Sequence, residues 1–215
     1  GFICQDNTNR LVKFIRIENC YSTGGIGAYG GGILGRHAGS DGSAYITDCY
    51  STGDISSYAG GITGEHSNNL TIINCYSTGS IAQSAGGIVS KYSHNFTVSY
   101  CYSTGDQING GAGGIAGEYC CRSGDTAGTA HISNCYSLGA IIQGGGGIIG
   151  GNAGGDSNTC QIVINSCYAL APNSGDGYTG GICGVLYPEN GTGTSGKIEV
   201  YNCYSHFATS PPLRV

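Results

Sequence analysis

Twelve cysteines, sixteen tyrosines, thirteen carboxylates and five histidines are the residues of this 215-residue chain with chemistry to offer. Their spacing decides which chemistry. No Cys-x-x-Cys pair occurs and the histidines are scattered, so neither a metal centre nor a cofactor is expected. Cysteine at this density without metal spacing belongs to oxidising compartments, which predicts a secreted chain or one displayed on a cell or virion. Cys120 and Cys121 lie in one long connecting segment and Cys160 in the next. A loop-to-loop disulfide from Cys120 or Cys121 to Cys160 is expected, and the sequence leaves the choice open.

The carboxylates, histidines and serines bound what catalysis the chain could perform. A glycosidase needs two carboxylates roughly 5–9.5 Å apart. Glu65 and Glu118 are the best pair, but Lys91 falls between them in the repeat described below. A cation there should hold both ionised and deny either the raised pKa of a general acid. Asp54 and Asp106 are separated by a repeat in the same way. No cluster of Asp residues suits calcium, and Gly144–Gly147 lacks the Lys and Ser/Thr of a phosphate loop. No histidine is oriented beside a serine nucleophile. The chain is therefore expected not to be an enzyme. Three sequons, at Asn69, Asn95 and Asn190, are candidate glycosylation sites in a secreted eukaryotic or viral chain.

Behind these residues stands a repeat. Cys-Tyr-(Ser/Ala) recurs at Cys20, Cys49, Cys75, Cys101, Cys135, Cys167 and Cys203, at intervals of 29, 26, 26, 34, 32 and 36 residues. Such periods mark solenoids, propellers or arrays. Before each cysteine runs a period-two pattern, as in Ile15-Arg16-Ile17 and Leu70-Thr71-Ile72, the signature of a strand with one face buried. Gly-Gly-Ile follows about thirteen residues later, from Gly31-Gly32-Ile33 to Gly180-Gly181-Ile182. A further apolar position lies between them, at Ile26, Ile55, Ile81, Ile108 and Ile141. A four-stranded propeller blade needs about 40 residues. A minimal unit of 26 suits one coil with three short strands, with glycine expected at the tight corners. The prediction is an all-β, single-domain parallel β-solenoid (β-helix) of about seven coils over residues 1–215. Residues 1–17 would form an N-terminal cap and first strand, and residues 206–215 a C-terminal tail.

The strings Ile-x-Asn-Cys-Tyr-Ser-Thr-Gly and Gly-Gly-Ile-x-Gly resemble the GLUG-type repeat. Gly32-Ile33-Leu34-Gly35, Gly61-Ile62-Thr63-Gly64 and Gly147-Ile148-Ile149-Gly150 match its Gly-Leu-x-Gly core with Ile in place of Leu. The resemblance covers nearly the whole chain. It implies a surface scaffold of the kind found in adhesin-like chains and in non-catalytic parts of bacterial immunoglobulin proteases, without implying a defined ligand.

Stacking in register would turn each repeat position into a row. Cys and Ser are expected to point inward and Tyr outward, giving a surface ladder of Tyr21, Tyr50, Tyr76, Tyr102, Tyr136, Tyr168 and Tyr204. Stacking alone gives such a row about 0.2–1 kcal/mol per pair. The same amphipathic rings could contact sugars or a neighbouring filament. Arg36, Glu65, Lys91 and Glu118 form a row of alternating sign, expected as a structural ion ladder, with His37, His66, Tyr92 and Tyr119 beside it.

Charged residues are only 10% of the chain and its net charge is −5. With no basic stripe, nucleic-acid binding is not expected. No apolar run approaches the roughly 18 residues of a membrane span, so insertion is not expected either. The partners expected are other copies, joined head to tail through the open edges of the end coils, or cell-surface polysaccharide. The functional expectation is a secreted structural or adhesive glycoprotein that self-assembles into a filament. A carbohydrate-binding or carbohydrate-active β-helix is the first alternative. An ice-binding protein is the second, suggested by the row Thr23, Thr52, Thr78 and Thr104.

Overall fold

The structure, a computed structural model, describes residues 13–39, 42–122, 128–155, 160–172, 179–185 and 196–208. Residues 1–12 of the expected cap and Asn190 lie outside the described residues. Among those described there is no helix, and the fold is all-β with parallel sheets.

In chain order the strands are β1 (Phe14–Glu18), β2 (Tyr21–Ser22), β3 (Ser43–Thr47), β4 (Tyr50–Ser51), β5 (Asn68–Ile73), β6 (Tyr76–Ser77), β7 (His94–Ser99) and β8 (Tyr102–Ser103). There follow β9 (Gln107–Ile108), β10 (Thr129–Ser133), β11 (Tyr136–Ser137), β12 (Ala140–Ile141), β13 (Gln161–Asn165), β14 (Tyr168–Pro172), β15 (Lys197–Tyr201) and β16 (Tyr204–Ala208).

One seven-stranded sheet has the order β1-β3-β5-β7-β10-β13-β15, and a second has β16-β14-β11-β8-β6-β4-β2. Each strand of the first is followed in the chain by one of the second, so equivalent residues of successive repeats become neighbours. Ile46 pairs with Ile72 and Ile72 with Val98 in the first sheet, and Tyr50 with Tyr76 in the second. The Gly-Gly-Ile segments form rows of isolated parallel bridges, such as Gly60↔Gly86↔Gly113↔Gly146, rather than a third full sheet. The Ile26 row does the same, except where β9 and β12 form a two-stranded sheet. Of the three short segments expected per repeat, two hold continuous ladders and the Gly-Gly-Ile segment is a row of single bridges. Residues 206–208 belong to β16.

The alternation before each cysteine does what period two requires. Ile46, Ile72, Val98, Ile132 and Ile164 are buried, while the residues between them face outward. They meet Ile33, Ile62, Ile88, Ile115 and Ile148 in the main core cluster, and Ile26, Ile55, Ile81, Ile108 and Ile141 form a second cluster. Each fully buried isoleucine contributes about 1.5–3 kcal/mol.

Most of the corners are turned by residues other than glycine. The residue before each cysteine adopts positive φ: Asn19, Asp48, Asn74, Tyr100, Asn134, Ser166 and Asn202 all lie between 52° and 55°. Asn and Asp tolerate this left-handed conformation because their short side chains bond locally. A second corner uses Tyr29, Tyr58, Ser84, Gly111 and Gly144, and a third His37, His66, Tyr92, Tyr119 and Asn152. The Gly-Gly pairs instead serve close approach. A Cβ on Gly61 would collide with the Gly87 carbonyl and come within 2.8 Å of the Ser77 Cβ.

Candidate binding face

The left-handed corner before each motif cysteine leads into a strand of two to five residues, which turns the tyrosine out and, in β4, β6, β8 and β11, the following serine in. Ser51, Ser77, Ser103 and Ser137 are buried against the glycines, and the Ser137 hydroxyl donates to the Gly147 carbonyl. Ring centroids of Tyr21–Tyr50, Tyr50–Tyr76, Tyr76–Tyr102, Tyr102–Tyr136 and Tyr136–Tyr168 are 5.2, 4.8, 4.9, 4.8 and 4.8 Å apart, with planes within 9° of parallel. Tyr204 is in register with Tyr168 through β14 and β16. Tyr21, Tyr168 and Tyr204 are exposed, whereas Tyr50, Tyr76, Tyr102 and Tyr136 are half-buried. An inner ring loses both faces to its neighbours and shows solvent only its edge and hydroxyl. Thr23, Thr52 and Thr78 flank the row as exposed residues.

Beneath the tyrosines, Cys49, Cys75, Cys101, Cys135 and Cys167 are buried free thiols. Each donates to the carbonyl two residues earlier, for example Cys75 Sγ to Ile73 at 3.2 Å and Cys135 Sγ to Ser133 at 3.1 Å. Burial pushes the Cys49 thiol up to about 11 and Cys101 well above its ordinary value. These groups pack as small hydrophobes.

Cys121 is bridged to Cys160, with Cα atoms 6.0 Å apart. Cys120 is a fully buried free thiol, pushed up to about 12 by desolvation. Of the two candidates it is thus excluded. Cys121 sits at positive φ and its amide donates to the Ser93 carbonyl.

The sequon residues Asn69 and Asn95 occupy equivalent positions in β5 and β7, between the paired Asn68↔His94 and Leu70↔Phe96 positions, both at positive φ. The Asn69 amide donates to the Gly39 carbonyl, and the Asn95 side-chain oxygen accepts from the Thr129 amide. Asparagine thus has a local structural role at both positions, because the left-handed backbone and these bonds favour it.

A second surface gathers the charged row. Backbone bonds from His37 to Glu65, His66 to Lys91, Tyr92 to Glu118 and Tyr119 to Gly151 place Arg36, Glu65, Lys91, Glu118 and Gly151 on successive rungs. Arg36 meets Glu65 at 2.8 Å and Lys91 meets Glu118 at 3.1 Å. The Glu65 side chain is only 5% exposed. Burial raises its pKa, with Arg36 and then Lys91 pulling it back. The expectation that Lys91 denies both carboxyls a raised pKa therefore fails at Glu65, because desolvation exceeds the attraction of its cations.

Aromatic rings flank this row. His37–His66–Tyr92–Tyr119 stack at 5.1–5.4 Å, and Tyr29–Tyr58 at 5.3 Å. Arg36 lies 5.4 Å from the Tyr29 ring centre and Lys91 4.6 Å from that of Tyr58, so the cations are held by π faces as well as carboxylates. The Tyr29–Tyr58 stack was not foreseen. Its signal was present, since both tyrosines stand two residues before the paired glycine bridge, as do Ser84, Gly111 and Gly144.

Where these rows lose their side chains a groove opens. Its cavity of about 380 Å³ is lined by Glu118, Gln83, Gln143, Asn152, Ser84 and Val185 over a floor of glycines. That size falls within the usual range for small-molecule sites. A scan against protein-family models found no match, and searches of curated proteins and of solved structures found none.

Proposed function

We propose that the chain is a parallel β-solenoid of about seven coils, of GLUG type, that acts as a non-catalytic structural or adhesive module outside the cell. The observation that carries this reading is the tyrosine row. Five consecutive stacked pairs convert one repeat position into a flat, regular, amphipathic stripe along the stacking direction. Such a stripe suits contact with another repetitive surface, whether polysaccharide or a second copy. The Cys121–Cys160 bridge suits an oxidising environment. Lys91 on the rung between Glu65 and Glu118 supports the non-catalytic reading, because it separates the two acids a glycosidase would need together.

At the β15 edge Val200 is 44% exposed, although Ile164, its partner one strand in, is fully buried. A further strand added there, from a following repeat or from another copy, would cover it. Negative-stain electron microscopy of the purified chain tests this reading. Fibres with an axial repeat of about 4.8 Å per coil in fibre diffraction are expected. Monodisperse particles at high concentration, together with no retention on insoluble polysaccharide, would refute it.

A further inference from the structure

The groove is the place of a missing rung. Along the charged row the sign runs plus, minus, plus, minus through Arg36, Glu65, Lys91 and Glu118, and the next two rungs are Gly151 and Val185. Along the neighbouring row Tyr29 and Tyr58 give way to Ser84, Gly111 and Gly144. In the first coils a cation lies over each tyrosine and against a carboxylate. In the repeats that carry Glu118 and Gly151 the aromatic position is glycine, Gly111 and Gly144, and the cation position after Glu118 is Gly151. The space a cation and an aromatic would fill is the cavity of about 380 Å³.

We infer that this groove binds the ammonium group of an amino sugar, with Glu118 as the counter-charge. Glu65 has a cationic rung on each side, Arg36 and Lys91, whereas Glu118 has Lys91 on one side and Gly151 on the other. The Asn152 amide stands 3.4 Å from the Glu118 carboxylate and orients it. A ligand ammonium placed over Gly151 continues the alternation with a charge-assisted bond. Gln83, Gln143 and Asn152 line the same cavity, and planar amides both donate to and accept from sugar hydroxyls. The glycine floor lets a pyranose ring approach the backbone. A free-amine hexosamine unit supplies cation and hydroxyls together, which neither a simple amine nor an N-acetylated sugar does. This inference rests on the adhesive reading only in taking polysaccharide as the partner. It does not need filaments, so the two fail separately.

The test is isothermal titration calorimetry of the whole chain with a β-1,4-linked glucosamine tetramer, its N-acetylated counterpart and a lysine tetrapeptide. The glucosamine tetramer should bind with a Kd below about 1 mM, and each of the other two about tenfold more weakly or not at all. Glu118→Gln should reduce binding about tenfold. Gly151→Lys should abolish it by supplying the rung from within. A Cβ at Gly151 comes no closer than 3.2 Å to the Val185 carbonyl oxygen, so the site admits a side chain with a small adjustment. Circular dichroism of both variants separates lost binding from lost folding. Equal affinity for acetylated sugar or lysine peptide, binding untouched in folded Gly151→Lys, or no heat with the wild type would each overturn the inference.

Discussion

The backbone of Gly87 lies directly against Ser103, so that a methyl group added to Gly87 would stand 2.8 Å from the Ser103 Cβ and clash with the Gly114 carbonyl. This contact brings the Gly-Gly-Ile segment and the Cys-Tyr-Ser strand together across the narrowest part of the interior. Gly87→Ala should therefore cost about 3 kcal/mol or more. Gly24→Ala, with nothing within 4 Å of the new methyl, should change stability by under about 0.5 kcal/mol. Urea denaturation of the two variants checks the contrast, and equal midpoints would contradict it.

The serine side of that contact carries a second prediction. The Ser77 hydroxyl is fully buried with no hydrogen-bond partner among the described residues, and the equivalent residue in β14 is Ala169. Ser77→Ala should raise stability by about 0.5–1 kcal/mol, since it removes an unsatisfied polar group without changing the backbone. Thermal melting measures it.

At the left-handed corner Tyr100 stands where Asn19, Asn74, Asn134 and Asn202 stand in other repeats. It is 61% exposed, so little packing opposes its replacement. Tyr100→Asn should stabilise by about 0.5–1 kcal/mol, and Asn74→Ala should destabilise by about 1 kcal/mol. Opposite signs from these two variants are the diagnostic result.

Acid should weaken the charged face through His66. Burial, with His37 and then Arg36 beside it, holds its pKa down to about 4, against 6.5 when unfolded. The unfolded chain then binds the extra proton between those values, so stability falls as pH drops from about 6.5 towards 4 and levels off below. Glu65, whose pKa is raised, acts in the opposite sense from 4.5 upward, because its folded form takes up the proton first. His66→Tyr extends the Tyr92–Tyr119 stack and removes only the histidine contribution. Its melting temperature should change less than that of the wild type across this window.

Removing the Cys121–Cys160 bridge should cost roughly 2–4 kcal/mol, given a closed loop of 39 residues. Cys121→Ser should show this loss in thermal unfolding and Cys120→Ser should not. Non-reducing peptide mapping should find the Cys121–Cys160 link intact in the latter.

Much of the architecture was legible because it depends on local pattern. Period-two alternation before each cysteine fixes a strand and its buried face, and seven recurrences of one motif require equivalent residues to meet. The alternation of Arg36, Glu65, Lys91 and Glu118 was readable as a row for the same reason. What the sequence alone could not decide depends on which backbone approaches which. Glycine can serve a left-handed corner or a close contact, and only the assembled fold shows Gly61 and Gly87 in contacts while Asn74, Tyr58 and His66 turn the corners. The choice of Cys121 over Cys120 falls in a connecting segment with no period, where no repeat position fixes which of two adjacent thiols meets Cys160. The groove, likewise, exists because glycines from two successive repeats fall beside Glu118, an arrangement set by stacking register rather than by any stretch of contiguous sequence.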